Sequence, residues 1–94
     1  MKKEVPNTID NAKTLFIAEP DGVFDVIERD GRKVEIVFVA ICQYEPGEGY
    51  YLFGCDKNFN AHTDFYYDEL ENALEDAKRV YDLEHISWRQ WLPQ

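Results

Sequence analysis

The stretch VFDVIERDGRKVEIVFVAICQY, residues 23–44, carries the reading that decides the fold. Asp30-Gly31 stands between two apolar-rich runs, the pattern of a two-residue hairpin turn with positive φ at both central positions. Such a turn pairs Arg29 with Arg32, Ile27 with Val34 and Val23 with Phe38. Within the second run, Ile36 to Cys42 is the longest apolar segment of the chain. It is far too short to span a bilayer as a helix and suits a central strand.

Beyond this hairpin, EPGEG at residues 45–49 stops the strand with a proline and two glycines. YYLFGC (50–55) then reads as strand, KNFN (57–60) as a third turn, and AHTDFYY (61–67) as a fourth strand. The period then changes from two to 3.6. In DELENALEDAKRVY the apolar positions Leu70, Ala73, Leu74, Ala77, Val80 and Tyr81 form one helical stripe, which predicts a helix over 69–81. Asp68 is its expected N-cap, with Glu71 completing a capping-box-like pair. Lys78 and Arg79 stand near the end that the helix dipole makes favourable for cations. In the tail EHISWRQW, alternating Ile86 and Trp88 suggest a short last strand.

Two readings compete for the first twenty residues. Asn7 or Thr8 can cap a short helix with Ile9, Ala12 and Phe16 on one side. TLFIA (14–18) can equally run as a strand ended by Glu19-Pro20-Asp21-Gly22. A helix fraying into extended chain is the expectation adopted. The fold expected is therefore α+β: a four-stranded antiparallel meander, one C-terminal-half helix on one face, a short N-terminal helix and a short final strand. Both sheet faces read as apolar, and the 69–81 helix can cover only one. The other needs the N-terminal segment, the Trp-bearing tail or a second copy of the chain.

A length of 94 residues fits one domain, 1–94. Nineteen acids against ten Lys and Arg give a net charge of −9. That field repels phosphate backbones and anionic membranes and attracts a basic protein or a cation. MKKEVPNTID has no apolar run after its lysines, so no secretory signal is read and a cytoplasmic location is expected.

Asp56, Asn58, Asn60, His62 and Asp64 alternate as in the start of a calcium loop. However, Ala61 replaces the sharp-turn glycine and Tyr67 the bidentate acid. Turn-forming side chains are the expectation there, with no metal and no cofactor. Cys42, Cys55, His62 and His85 contain no close ligand pair of the kind zinc uses. If Tyr44 opposes Tyr50, the two cysteines fall on opposite faces; a one-residue shift puts them on one face, still diagonal. Free thiols are expected either way. The acids at 68–76 sit on the outer helix face, where carboxylates solvate, and no nucleophile or phosphate-loop motif is present, so the chain is not expected to be an enzyme.

Aromatic residues gather around the second and third turns and the tail, beside acids. Tyr44, Tyr50, Phe59, Tyr66, Trp88 and Trp91 are the candidate protein-binding aromatics. Glu45, Glu48 and Asp64 are the acids that would select a basic partner. The competing reading is that the aromatics seal the edges of a small core.

The string YYLFGCDKNFNAHTDFYYDELENALEDA (50–77), followed by a late Trp, resembles a group of small bacterial domains of uncharacterised function with a Y-L-F-x-C-D…D…L-E-x-A pattern. The likeness covers about the last half of the chain. It implies a shared fold and a bacterial source. Some small acidic domains of this style are immunity proteins that mask a toxin's active site, so it also implies an immunity-like role. His62 departs from the apolar strand residue expected there, and no catalytic residue is carried over. Two functional classes follow: a binding module for a basic protein, and a structural homodimer. A small ligand-binding protein or enzyme is the distant third.

Overall fold

The computed structural model describes residues 5–18, 24–44, 47, 49–80 and 88–90. Its strands are β1 (Thr8–Ile9), β2 (Ala12–Ala18), β3 (Asp25–Arg29), β4 (Arg32–Ile36), β5 (Phe38–Gln43), β6 (Tyr50–Cys55), β7 (Ala61–Tyr67) and β8 (Arg89–Gln90). One helix, α1 (Leu70–Val80), lies between β7 and β8. The main sheet runs β1-β2-β5-β6-β7, all antiparallel, with β8 also paired to β2. β3 and β4 form a two-stranded sheet of their own.

This overturns the expected four-stranded meander and the N-terminal helix. The Asp30-Gly31 turn forms with both φ positive (51° and 77°), and Arg29↔Arg32 and Ile27↔Val34 pair as its geometry demands. The hairpin does not enter the main sheet, however. At Val37 the chain leaves the ladder, and the Val37 N–H donates to the Cys55 carbonyl at 2.9 Å. Phe38, read as the partner of Val23, opposes Cys55 instead; Val23 lies outside the described residues. A strand buried on both faces must be apolar on both. DVIER and RKVEI alternate with charge and stay largely exposed, whereas FVAICQ is buried at four consecutive positions.

The edge of β5 that β4 leaves open is taken by β2. Asp10 and Asn11 both adopt left-handed φ (50° and 66°) and close a two-residue hairpin between β1 and β2. These residue types tolerate that conformation. A bulge between Thr14 and Phe16 displaces Leu15 from the ladder, so inward positions fall at 12, 14, 17 and 18. Thr14 is the buried polar residue of this strand, and its hydroxyl donates to the Pro6 carbonyl at 3.0 Å.

Each sheet face builds a core. One holds Val5, Ile9, Ala12, Ile17, Ala40, Cys42, Phe53, Cys55 and Phe59. The other holds Ala18, Ile36, Val39, Ile41, Leu52, Ala73 and Ala77, flanked by Phe24, Ile27, Leu70, Leu74 and Trp88. α1 and the β3–β4 hairpin thus cover the second face, while the segment before β2 contributes Val5 and Ile9 to the first. Tyr44 opposite Tyr50 would set Leu52 against Cys42; the register is shifted by one, so Tyr51 opposes Cys42 and Leu52 opposes Ile41. Val39 and Ile41 therefore face the helix, and Phe53 faces the other way. Cys42 and Cys55 share a face but oppose Tyr51 and Phe38, and both are buried free thiols. Burial pushes each thiol up to about 12.

Ile17 is fully buried in a strand bonded on both edges, so Ile17→Ala is expected to lower unfolding free energy by about 2–5 kcal/mol. Val26 is 51 % exposed on the outlying hairpin, and Val26→Ala is expected to change stability by less than about 0.5 kcal/mol. Urea unfolding of both variants checks this ordering. Equal effects would contradict it.

Candidate functional site

The two ends of the main sheet differ in chemistry. At one end, the β6–β7 turn is organised by a single carboxylate. Asp56 Oδ1 accepts the backbone N–H groups of Asn58 (2.8 Å) and Asn60 (3.0 Å), and Oδ2 accepts from Asn60 Nδ2 (3.2 Å). His62 Nε2 donates to the same Oδ2 at 2.8 Å. Burial works to raise the Asp56 pKa, but the hydrogen bonds from His62, Asn60 and Asn58 outweigh it and hold the group at about 2. Asp56, Asn58 and Asn60 are thus turn formers, as their types suggested. Among the described residues no group of three or more His, Cys, Asp or Glu side chains converges as metal ligands would.

Phe59 crosses this turn with φ at 63°, uncommon for a bulky residue, and its ring is buried against Phe38 at 4.2 Å. Arg29, at the base of the Asp30-Gly31 turn, donates from Nη1 to the His62 carbonyl at 2.9 Å and ties the outlying hairpin to β7. A cleft of about 300 Å³ lies alongside, lined by Lys33, Val34, Glu35, Val37, Asp56, Lys57 and Asn58. It brings Lys33 and Lys57 together with Glu35 and Asp56.

The opposite end of the sheet gathers aromatics and acids from four elements. The β1–β2 turn supplies Asp10, the residue after β5 is Tyr44, β6 supplies Tyr51, and β7 supplies Tyr66, with Asp64 two residues along it opposite Phe53. The Tyr44 hydroxyl donates to the Asp10 carbonyl (3.0 Å) and to Asp10 Oδ2 (3.1 Å). Desolvation raises the Tyr44 pKa, and Asp10, Tyr51 and Asp64 push it the same way, so the phenol remains a donor. Tyr51 is central: Tyr44 meets it edge-on at 5.1 Å and 83°, and Tyr66 at 5.2 Å and 65°. Tyr66, 51 % exposed, lies across Gly49, where an added Cβ would collide with Oη, Cε1 and Cζ. Gly49 has φ of 88°, so conformation and space both require glycine there.

Of the candidate binding residues, Tyr44 and Tyr66 both meet Tyr51, and Asp64 stands two residues along β7 from Tyr66. Tyr50 is half-buried against the helix-side core, as is Trp88, whose Nε1 finds no acceptor among the described residues. Phe59 is core on the other face. Glu45, Glu48 and Trp91 lie outside the described residues. Asp10 joins the site without having been singled out for it, and Tyr51, one of the aromatics gathered near the second turn, is its centre. Asp10 is distant in sequence and needed the β1–β2 turn to be recognised. A third polar group lies on α1, where Asp76 accepts from the Tyr67 hydroxyl and from Arg79 Nε (2.7 Å) and Nη2 (3.0 Å). Arg79 and Tyr67 hold the Asp76 carboxyl below its usual range.

No family model, curated protein or solved structure matches the chain. Among the described residues no helix is long and apolar enough to cross a membrane.

The Asp56 network has a pH signature. A carboxyl lowered from 3.8 to about 2 contributes stability that is full above about pH 4 and is lost as pH falls through 2. Asp56→Asn is therefore expected to cost about 1–2 kcal/mol at pH 5. The gap from the unmodified protein should close towards pH 2. Urea titrations at both pH values measure it, and a gap that is constant with pH would contradict the assignment.

Proposed function

We propose that the chain is a small acidic protein-binding domain that meets a basic partner protein through the Asp10, Tyr44, Tyr51, Asp64 and Tyr66 surface. The observation that carries this reading is the convergence of three tyrosines and Asp10 from four elements at one end of the sheet, with Asp64 nearby on β7. Aromatic rings supply large contact area at low entropic cost, and acids around them speed encounter with a cationic surface. The overall charge of −9 acts in the same direction.

An immunity-like or regulatory role in a bacterial cytoplasm is the form of this function that the resemblance of residues 50–77 favours, and two buried thiols suit a reducing compartment. Binding is preferred to catalysis because the close His62–Asp56 pair is committed to holding a turn. The homodimer reading loses its motive, since Val5 and Ile9 pack on one sheet face and α1 on the other.

The test is affinity capture from the source cell with the unmodified protein and with an Asp10→Asn/Asp64→Asn/Tyr66→Ala variant. A basic protein should be retained by the first, released by salt, and lost with the second. Retention unchanged by the triple substitution would move the interface elsewhere. Sedimentation of the isolated protein as a dimer would restore the self-association reading.

A further inference from the structure

The site described above has a more specific shape than an acidic patch. Tyr66 is laid down across Gly49 because that residue lacks a Cβ, and it stays half in solvent. Tyr51 stands beside it, half-buried, with its ring turned 65° from that of Tyr66. Tyr44 closes the other side of Tyr51 at 83° and cannot swing freely, because its hydroxyl is fixed by Asp10. The three rings form a stepped corner, with the Asp10 carboxylate held at its Tyr44 end and Asp64 two residues along β7 from Tyr66.

We propose that this corner receives the guanidinium of an arginine side chain projecting from the basic partner. The proposal rests on the protein-binding reading and names what that surface recognises. A planar, weakly hydrated cation stacks on an aromatic face, whereas a compact, strongly hydrated ammonium gains less there. The guanidinium fork also bonds to carboxylates in its own plane, which suits acids placed at the rim of the rings. Tyr44 is already donating to Asp10, so that carboxylate is oriented before any ligand arrives, and the ordering cost on binding falls. Charge complementarity selects the occupant, since the rim is anionic and the whole chain carries −9.

Nuclear magnetic resonance titration with N-acetyl-arginine amide, and separately with N-acetyl-lysine amide, tests the proposal on the intact protein. Arginine should shift the ring resonances of Tyr51 and Tyr66 and the amide of Gly49, and lysine should bind more weakly. Tyr66→Leu should weaken arginine binding about two- to fivefold, while Tyr66→Phe, which keeps the ring, should retain it. Shifts confined to the acids of α1, equal affinity for the two probes, or a Tyr66→Leu variant that binds normally would each overturn it. A captured basic partner that is lost with Asp10→Asn/Asp64→Asn but indifferent to Tyr66→Leu would leave the protein-binding reading standing and remove the arginine corner. A self-assembled dimer broken by Tyr66→Leu would seat a second copy there and overturn the partner assignment.

Discussion

Strand β2 is bonded along both edges and covered on both faces, and the remaining architecture depends on that arrangement. β5 pairs with one edge; β1 and β8 share the other. Ile17 and Ala18 are buried on opposite faces, each in a different core. A strand so placed must be apolar on both sides, and residues 15–18 are. With β2 in that position, β4 has no edge of β5 left to occupy, and the Asp30-Gly31 hairpin turns away at Val37. The hairpin then packs Phe24, Ile27 and Ile36 against the helix-side core instead of extending the main sheet.

The same strand builds the binding surface. The two-residue turn that starts β2 puts Asp10 beside Tyr44, some thirty-four positions away in sequence. Without the β1–β2 hairpin, Tyr44 would lose the acceptor that fixes its ring. The opposite end of the sheet uses its polar groups differently. There Asp56 is consumed by backbone N–H groups and His62, and the cation at Arg29 is spent on a carbonyl. One end is closed by its own hydrogen bonds, and the other presents aromatic surface and carboxylates to solvent.

Much of the local structure was legible because each piece has a short-range cause. Asp30-Gly31 dictates its own register through positive φ, and the 3.6-residue stripe of 70–80 admits no strand. Two features hid the rest. The β1–β2 turn sets Ile9 opposite Ala12 and the bulge at Leu15 shifts Phe16, so three residues that a helix would put on one side are divided between two cores. The register of β6 against β5 is the other: one residue of slip from a Tyr44–Tyr50 pairing sends Tyr51, Leu52 and Phe53 to the opposite faces. The site was legible to the same degree. Tyr44, Asp64 and Tyr66 could be picked as aromatics and acids near turns, but composition cannot sort a surface tyrosine from a core phenylalanine such as Phe59. Asp10 became visible only through a long-range contact.

Native-state hydrogen exchange tests the central claim most directly. If β2 is the interior strand, the amides of Ile17 and Ala18 should exchange with the slowest group, at rates matching global unfolding. Those of Val26 and Lys33, on the outlying hairpin, should exchange through local opening many times faster. Fast exchange across residues 12–18 together with slow exchange across 25–36 would contradict the account, because it would put the hairpin inside the sheet and the N-terminal segment outside it.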